Sequence, residues 1–238
     1  MEIIIILAVA IITYLVGSIS FSRIVTRIWT RGQKDVTQFE KVVPETGERY
    51  KVMNVGAETV SSELGAGAGM TVSLLDMIKI ILPTLACRLL FPDQPIVMIT
   101  AALGGLIGHI WPLYYRFHGG QGFSAIIGGL LVIDPLAVLV APLAGLFLGI
   151  VVLRNMIVAA TGWVMLLIPW LWWRFHGDPL YIVYALIINV IFVVGMIPYI
   201  KKVRQAMKEG KTIGHLVSSP MGRGLLKMRE FMKSKTGW

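Results

Sequence analysis

The chain has one cysteine, Cys87, in 238 residues. A disulfide framework is therefore excluded, and a lone thiol in apolar sequence is most simply a small core residue. The common catalytic signatures are also missing. No Cys/His cluster has zinc spacing, and neither His-Glu-x-x-His nor a P-loop occurs, so no metal site is expected. Without a Gly-x-Ser-x-Gly elbow, a serine hydrolase is not expected. The His-x4-Asp pattern of one acyltransferase superfamily is absent too: Tyr114 stands five residues after His109, and Phe123 five after His118. There is no internal repeat and no low-complexity tract. Charge is scarce at 15%, whereas 56% of residues are hydrophobic and mean hydropathy is +0.75. A soluble domain of this composition would leave too much apolar surface in water, so the class is integral membrane protein.

Seven apolar segments are legible: about Ile3–Ile28, Thr71–Phe91, Ile96–Tyr115, Phe123–Ile133, Leu136–Leu153, Met156–Trp173 and Leu180–Ile200. The predicted fold is all-α and polytopic, with about seven transmembrane helices. The fourth segment is short for a crossing, which normally takes about 20 residues. The first segment follows Met1-Glu2 with no basic region, and reads as an uncleaved span rather than a signal peptide.

The small excess of charge is unevenly placed. From Lys201 to Trp238 the chain carries ten Lys/Arg against only Glu209 and Glu230. The positive-inside rule puts this tail in the cytoplasm. Seven crossings then place the N-terminus outside, with Arg23, Arg27, Arg31, Lys34, Arg116 and Arg154 beside cytoplasmic loops. A basic tail after a last span is expected to meet anionic lipid headgroups, and nucleic acid is not expected as a partner. The predicted organisation is a membrane domain over residues 1–200 with a polar cytoplasmic insertion at about 31–53, followed by a basic tail at 201–238. Within the insertion, Pro44-Glu45-Thr46-Gly47 is a turn signal. The tract Gly65-Ala66-Gly67-Ala68-Gly69, like the pairs Gly104/Gly108 and Gly145/Gly149, allows close helix packing.

Polar residues near span ends carry the functional signal, because they are expensive in hydrocarbon unless paired or wet. Gly119-Gly120-Gln121-Gly122 joins two apolar segments. If Phe123 opens the next helix, the bare amides of this loop lie at a positive helix end suited to phosphate. His109 is either an interfacial hydrogen-bonded side chain or a donor or base at that seat. Asp76 and Lys79, at i and i+3, either pair or leave Lys79 as a phosphate ligand. Ser18 and Arg27, nine positions apart, fall roughly on one face of a continuous helix, and Arg27 either snorkels to headgroups or clamps a phosphate.

Three blocks resemble the small multi-span bacterial glycerol-3-phosphate acyltransferases that use acyl phosphate as donor. They are Tyr14-Leu15-Val16-Gly17-Ser18-Ile19 with Arg27; Asn54-Val55-Gly56-Ala57 followed by Asp76-Met77-Ile78-Lys79; and Gly108-His109-Ile110-Trp111-Pro112 through Gly122. The resemblance implies seven spans, a site open to the cytoplasm, a bacterial inner-membrane location and no cofactor. It implies transfer of an acyl group from acyl phosphate to glycerol-3-phosphate, giving lysophosphatidate. Ser18, Asn54 and His109 would orient the hydroxyl or stabilise the oxyanion. Arg27, Lys79, Gly56, Gly119, Gly120 and Gly122 would hold phosphate. The chain departs from the family pattern at Glu58, Thr59, Ile80 and Gln121, and it lacks a serine pair near Arg154 and a last-span His and Asn. A member that binds an anionic lipid or phosphometabolite without turnover is the alternative. A small transporter ranks below both, for want of an inverted repeat.

Overall fold

The computed structural model describes residues 2–42, 49–51 and 55–208. Asn54, the Pro44–Gly47 turn and the tail beyond Lys208 lie outside the described residues. Ten α-helices occur among the described residues: α1 (Glu2–Gly17), α2 (Phe21–Trp29), α3 (Ala57–Leu64), α4 (Ala66–Leu90), α5 (Pro95–Ile110), α6 (Phe123–Ile133), α7 (Pro135–Phe147), α8 (Met156–Thr161), α9 (Trp163–Arg174) and α10 (Pro179–Lys208). A two-stranded hairpin, β1 (Glu40–Val42) with β2 (Arg49–Lys51), is the one sheet among them. Five stretches are long and apolar enough to cross a bilayer, and α6 is the shorter apolar helix anticipated from its 11 residues. The chain divides into two compact units, residues 1–19 with 74–195 and residues 20–73 with 196–238.

The first unit is built around α5. Of its apolar stretch 67% is buried, against 33% or less for the other four spanning stretches. Between lipid-facing helices no hydrophobic force favours association, so small residues that let backbones touch must do the work. The crossing of α1 and α5 shows this. A Cβ on Gly17 would land on the carbonyl of Gly105, and one on Gly108 would land on the carbonyl of Tyr14. Gly104 lies equally close to Thr13, whose hydroxyl donates back to Val9 O at 2.8 Å and so presents no unsatisfied donor. On the other side of α5, a Cβ on Gly128 of α6 would come within 2.7 Å of the Met77 carbonyl in α4. Ile80, Leu106, Ile126, Leu130 and Tyr184 fill the space between these helices and are almost completely buried.

α7 packs on α9 at Gly145, where an added Cβ would approach Trp163 to 2.7 Å. The Phe123, Trp163 and Phe192 rings cluster with centroid separations of 5.9 and 5.0 Å. α7 runs into a π-helical turn, Leu148–Val152, and Asn155 then caps α8 by accepting from the Ile157 and Val158 amides at 2.9 and 3.2 Å. One end of this unit is fastened by polar contacts. Buried Asp134 accepts from Trp170 Nε1 at 2.8 Å and faces Arg174 Nε at 3.6 Å, while Arg88 donates to the Val132 carbonyl.

In the second unit α2 buries Ser22, Val25 and Thr26 on one face. Ser22 donates to the Val55 carbonyl at 3.2 Å, tying α2 to the segment that leads into α3. Gly32, at φ +80°, ends α2 by donating to Arg27 O at 2.7 Å. Beyond it, Asp35 accepts from the Thr37 amide and hydroxyl at 2.8 and 2.7 Å. Those two hydrogen bonds, with the charges of Arg23 and Arg27, hold the Asp35 carboxyl below its usual value. In the hairpin, Glu40 faces Lys51, Lys41 faces Tyr50 and Val42 faces Arg49. Gly65, at φ +93°, separates α3 from α4, and Gly69 folds back against Ala57 and Ser61.

The first apolar segment is thus not one continuous helix. It is interrupted between Gly17 and Phe21, which breaks the common helical face expected for Ser18 and Arg27. Those two residues fall in different units.

The glycine positions give a contrast to measure by thermal unfolding in detergent. Gly17→Ala must push two backbones apart and should lower stability by about 1–3 kcal/mol. At Gly67, where an added Cβ meets nothing within 4 Å, the same change should be neutral or stabilise by up to about 1 kcal/mol.

Candidate functional site

The interruption after α1 is where the site begins. Stopping a helix inside an apolar segment leaves backbone groups with no intrahelical partner, and hydrocarbon offers none. Here side chains supply them. The Lys79 ammonium donates to the Ile19 carbonyl at 2.7 Å. The Ser18 hydroxyl donates to Tyr14 O at 2.8 Å and accepts from the Leu113 amide at 3.2 Å. Tyr14 OH donates to Trp111 O at 3.0 Å. The end of α1 is thereby sewn to the segment that follows α5.

Lys79 makes the pairing that the Asp76/Lys79 spacing permits. Its Nζ lies 2.7 Å from Asp76 Oδ1, with the side chains 4% and 2% exposed. At i, i+3 on α4 the two are neighbours on one helical face, and burial makes the pairing obligatory. Asp76 Oδ1 also lies 3.5 Å from Nδ1 of His109, in the last turn of α5. Ser18, Asp76, Lys79 and His109 are all buried.

The glycine loop closes over this group. The Gly120 amide donates to the His109 carbonyl at 3.1 Å. A Cβ on Gly120 would fall on the His109 ring at Nε2, and one on Gly119 would fall on the His109 carbonyl. Two of the three glycines are therefore required first for contact with the end of α5. The Gly120 N–H is engaged within the chain and is not among the amides available to a ligand. Gly122 has a different reason to be glycine, since it caps α6 at φ +94°. Phe123 does open that helix, as anticipated, and the first-turn amides of α6 point along the positive end of its dipole. Before the loop, Arg116 and Phe117 both adopt positive φ, +51° and +61°, and His118 Nδ1 lies 2.6 Å from Arg116 O. Two consecutive side-chain-bearing residues in the left-handed region are a strained arrangement held by its surroundings.

Of the residues singled out from sequence, Ser18, Lys79, His109, Gly119, Gly120 and Gly122 come together in the first unit. Gly56 and Arg27 belong to the second unit, where Gly56 is the extended N-cap of α3 and Arg27 is exposed. Glu58 occupies the first turn of α3, so that helix already carries an acid at its positive end. Sequence reasoning missed the Ile19 carbonyl as a partner, because a backbone acceptor and a side chain 60 positions away carry no shared sequence signal. It also missed the contact of Asp76 with His109, which are 33 positions apart and on different helices.

The family model described as glycerol-3-phosphate acyltransferase matches residues 7–208. A glycerol-3-phosphate acyltransferase of Myxococcus xanthus is 38% identical over 136 residues, 57% of this chain and 64% of the relative. One from Halalkalibacterium halodurans is 34% identical over 130 residues, 54% of this chain and 57% of the relative. The matched segment thus spans less than two thirds of either relative. The crystal structure of PlsY (YgiH), an integral membrane glycerol 3-phosphate acyltransferase, in its glycerol 3-phosphate form aligns with TM-score 0.65 at 23% identity. That alignment covers 84% of this chain and 92% of the other, so the all-helical membrane fold is shared.

The buried pair makes a thermal-unfolding test. Lys79→Met strands the Asp76 carboxylate and the Ile19 carbonyl and should destabilise the protein by about 3–5 kcal/mol. Adding Asp76→Leu to Lys79→Met should recover at least about 1 kcal/mol, since an apolar pair is easier to bury than one unpaired charge.

Proposed function

The chain belongs to the glycerol-3-phosphate acyltransferase family, and on that premise we propose that it transfers an acyl group from acyl phosphate to a hydroxyl of glycerol-3-phosphate. The products are lysophosphatidate, an entry point to phospholipid synthesis, and inorganic phosphate. The observation that carries this reading is the buried group of Ser18, Lys79 and His109 beneath the glycine loop. It gathers a buried cation and hydrogen-bonding side chains at the end of α1, and His109 among them is in contact with the loop that leads into α6.

The chemistry asks little of a protein nucleophile. Acyl phosphate is a mixed anhydride with a good leaving group already attached. The acceptor hydroxyl oxygen bonds to the acyl carbon, the bond from that carbon to the phosphate oxygen breaks, and the hydroxyl proton ends on the departing phosphate. Catalysis then consists of holding two phosphates in line and stabilising the charge on the carbonyl oxygen. In the first unit Lys79, Gly119 and Gly122 with the α6 N-terminus hold phosphate, Gly120 shaping the loop, and in the second unit Arg27 and Gly56 are the phosphate contacts. Ser18, His109 and Asn54 orient the hydroxyl or stabilise the oxyanion. Arg27 is exposed and accessible to a soluble anion. No metal or cofactor takes part.

The same reading places seven spans in a bacterial inner membrane, with the N-terminus outside and the site open to the cytoplasm. Residues 1–200 form the membrane domain, and the basic segment at 201–238 rests on anionic headgroups. Alternating loop charge supports that orientation.

Membranes containing the protein, given acyl phosphate and labelled glycerol-3-phosphate, should form labelled lysophosphatidate. Arg27→Ala and Lys79→Ala should each lower kcat/KM by about 100-fold or more. Full activity in both variants refutes the assignments, and saturable binding without turnover in the wild type refutes the reaction. Expression should also restore growth to cells deprived of their own glycerol-3-phosphate acylation step.

A further inference from the structure

Asp76 does more than neutralise Lys79. A single buried ammonium already balances its charge, and that ammonium is independently anchored on the Ile19 carbonyl. Yet the same carboxylate oxygen also faces Nδ1 of His109 across 3.5 Å. His109 is in turn the residue on which the glycine loop rests. Its carbonyl receives the Gly120 amide, and its ring lies where a Gly120 side chain would be. A carboxylate beside Nδ1 favours the ring flip that turns Nε2 the other way, toward Gly120. The surface under Gly120 is therefore set by Asp76, through His109.

We infer that Asp76 is a positioning residue: by orienting His109 it holds Gly120, and with it the loop leading into α6, in the shape that receives a phosphate group. The inference rests on the acyltransferase reading for the identity of that phosphate, but the mechanical link is independent of it. Lys79 and His109 are the charged or titratable groups that contact the carboxylate. Removing the carboxylate leaves the His109 ring able to turn, and the loop loses its defined platform. A displacement of this kind weakens phosphate binding.

Two readouts separate this from a purely structural ion pair. Inorganic phosphate binding is measured by calorimetry on purified protein in detergent, and KM and kcat for glycerol-3-phosphate are measured with acyl phosphate as donor. Asp76→Asn should weaken phosphate binding and raise KM by about tenfold each, with a smaller effect on kcat than on KM, and His109→Gln should weaken phosphate binding to the same extent, its kcat falling further because His109 also faces the reacting groups in the proposed reaction. In the His109→Gln background, Asp76→Asn should cost clearly less phosphate binding than it does alone, the remainder being its effect on Lys79. Losses that multiply, or phosphate binding unchanged in folded Asp76→Asn protein, overturn the inference. If Asp76→Asn does not accumulate, Asp76→Glu keeps the charge, moves the carboxylate by one methylene and is held to the same comparison. Gly120→Ala supplies a separate check. Its added methyl meets the His109 ring, so phosphate binding should fall, and His109→Ala should restore part of it by making room. Absence of rescue also overturns the inference. Wild-type protein that binds phosphate but transfers no acyl group would sink the acyltransferase reading alone, and the binding comparisons would still decide the role of Asp76.

Discussion

A main chain inside hydrocarbon has to satisfy its own polar groups, and the candidate site grows from the one place where α1 breaks that rule. Where α1 stops at Gly17 and the next helix has not begun, the Ile19 carbonyl would be left without a partner. Lys79 provides one, Ser18 secures the Leu113 amide, and Tyr14 secures the Trp111 carbonyl. Each of these contacts draws an element toward the same spot. The polar side chains of the site are where they are because an interrupted helix in a membrane has to be completed by its neighbours.

A second constraint acts through glycine. In water, two amphipathic helices are pressed together by their apolar faces; in lipid the tails are as apolar as the side chains. Association then depends on how closely backbones can approach. Gly17, Gly105 and Gly108 allow α1 and α5 to meet at van der Waals distance, and Gly128 does so for α4 and α6. These contacts set the heights at which Ser18, Asp76, Lys79 and His109 face one another. The glycine loop continues the same logic: Gly119 and Gly120 lie bare against the end of α5 before any ligand is considered.

Charge within the first unit is concentrated in small, internally balanced groups. Asp76 sits between Lys79 and His109, and Asp134 between Trp170 and Arg174. Such pairs contribute little net stability when well made, but removing one member is severe. Their value is in specifying one arrangement of helices out of many that lipid would tolerate equally. The family match over residues 7–208 extends well past the three motif blocks, into the later spans.

The helical class and the membrane environment were legible from composition, and the α6 boundaries from the run between Gly122 and Asp134, because those signals are local and periodic. The polar residues that pair inside the first unit also stood out in sequence, since apolar stretches carry Lys, Asp and His only where a partner or water meets them. The pairing of Asp76 with Lys79 was open on sequence alone: spacing permits a contact, and only burial compels it. Three features belonged to tertiary structure. The interruption at Ser18–Ser20 is completed by a lysine from another helix, the meeting of Asp76 with His109 joins separate helices, and the commitment of the Gly120 amide to His109 depends on how the loop folds back. Local sequence sets which conformations a segment favours, but hydrogen-bond partners and backbone contacts between distant segments exist only once the helices have packed.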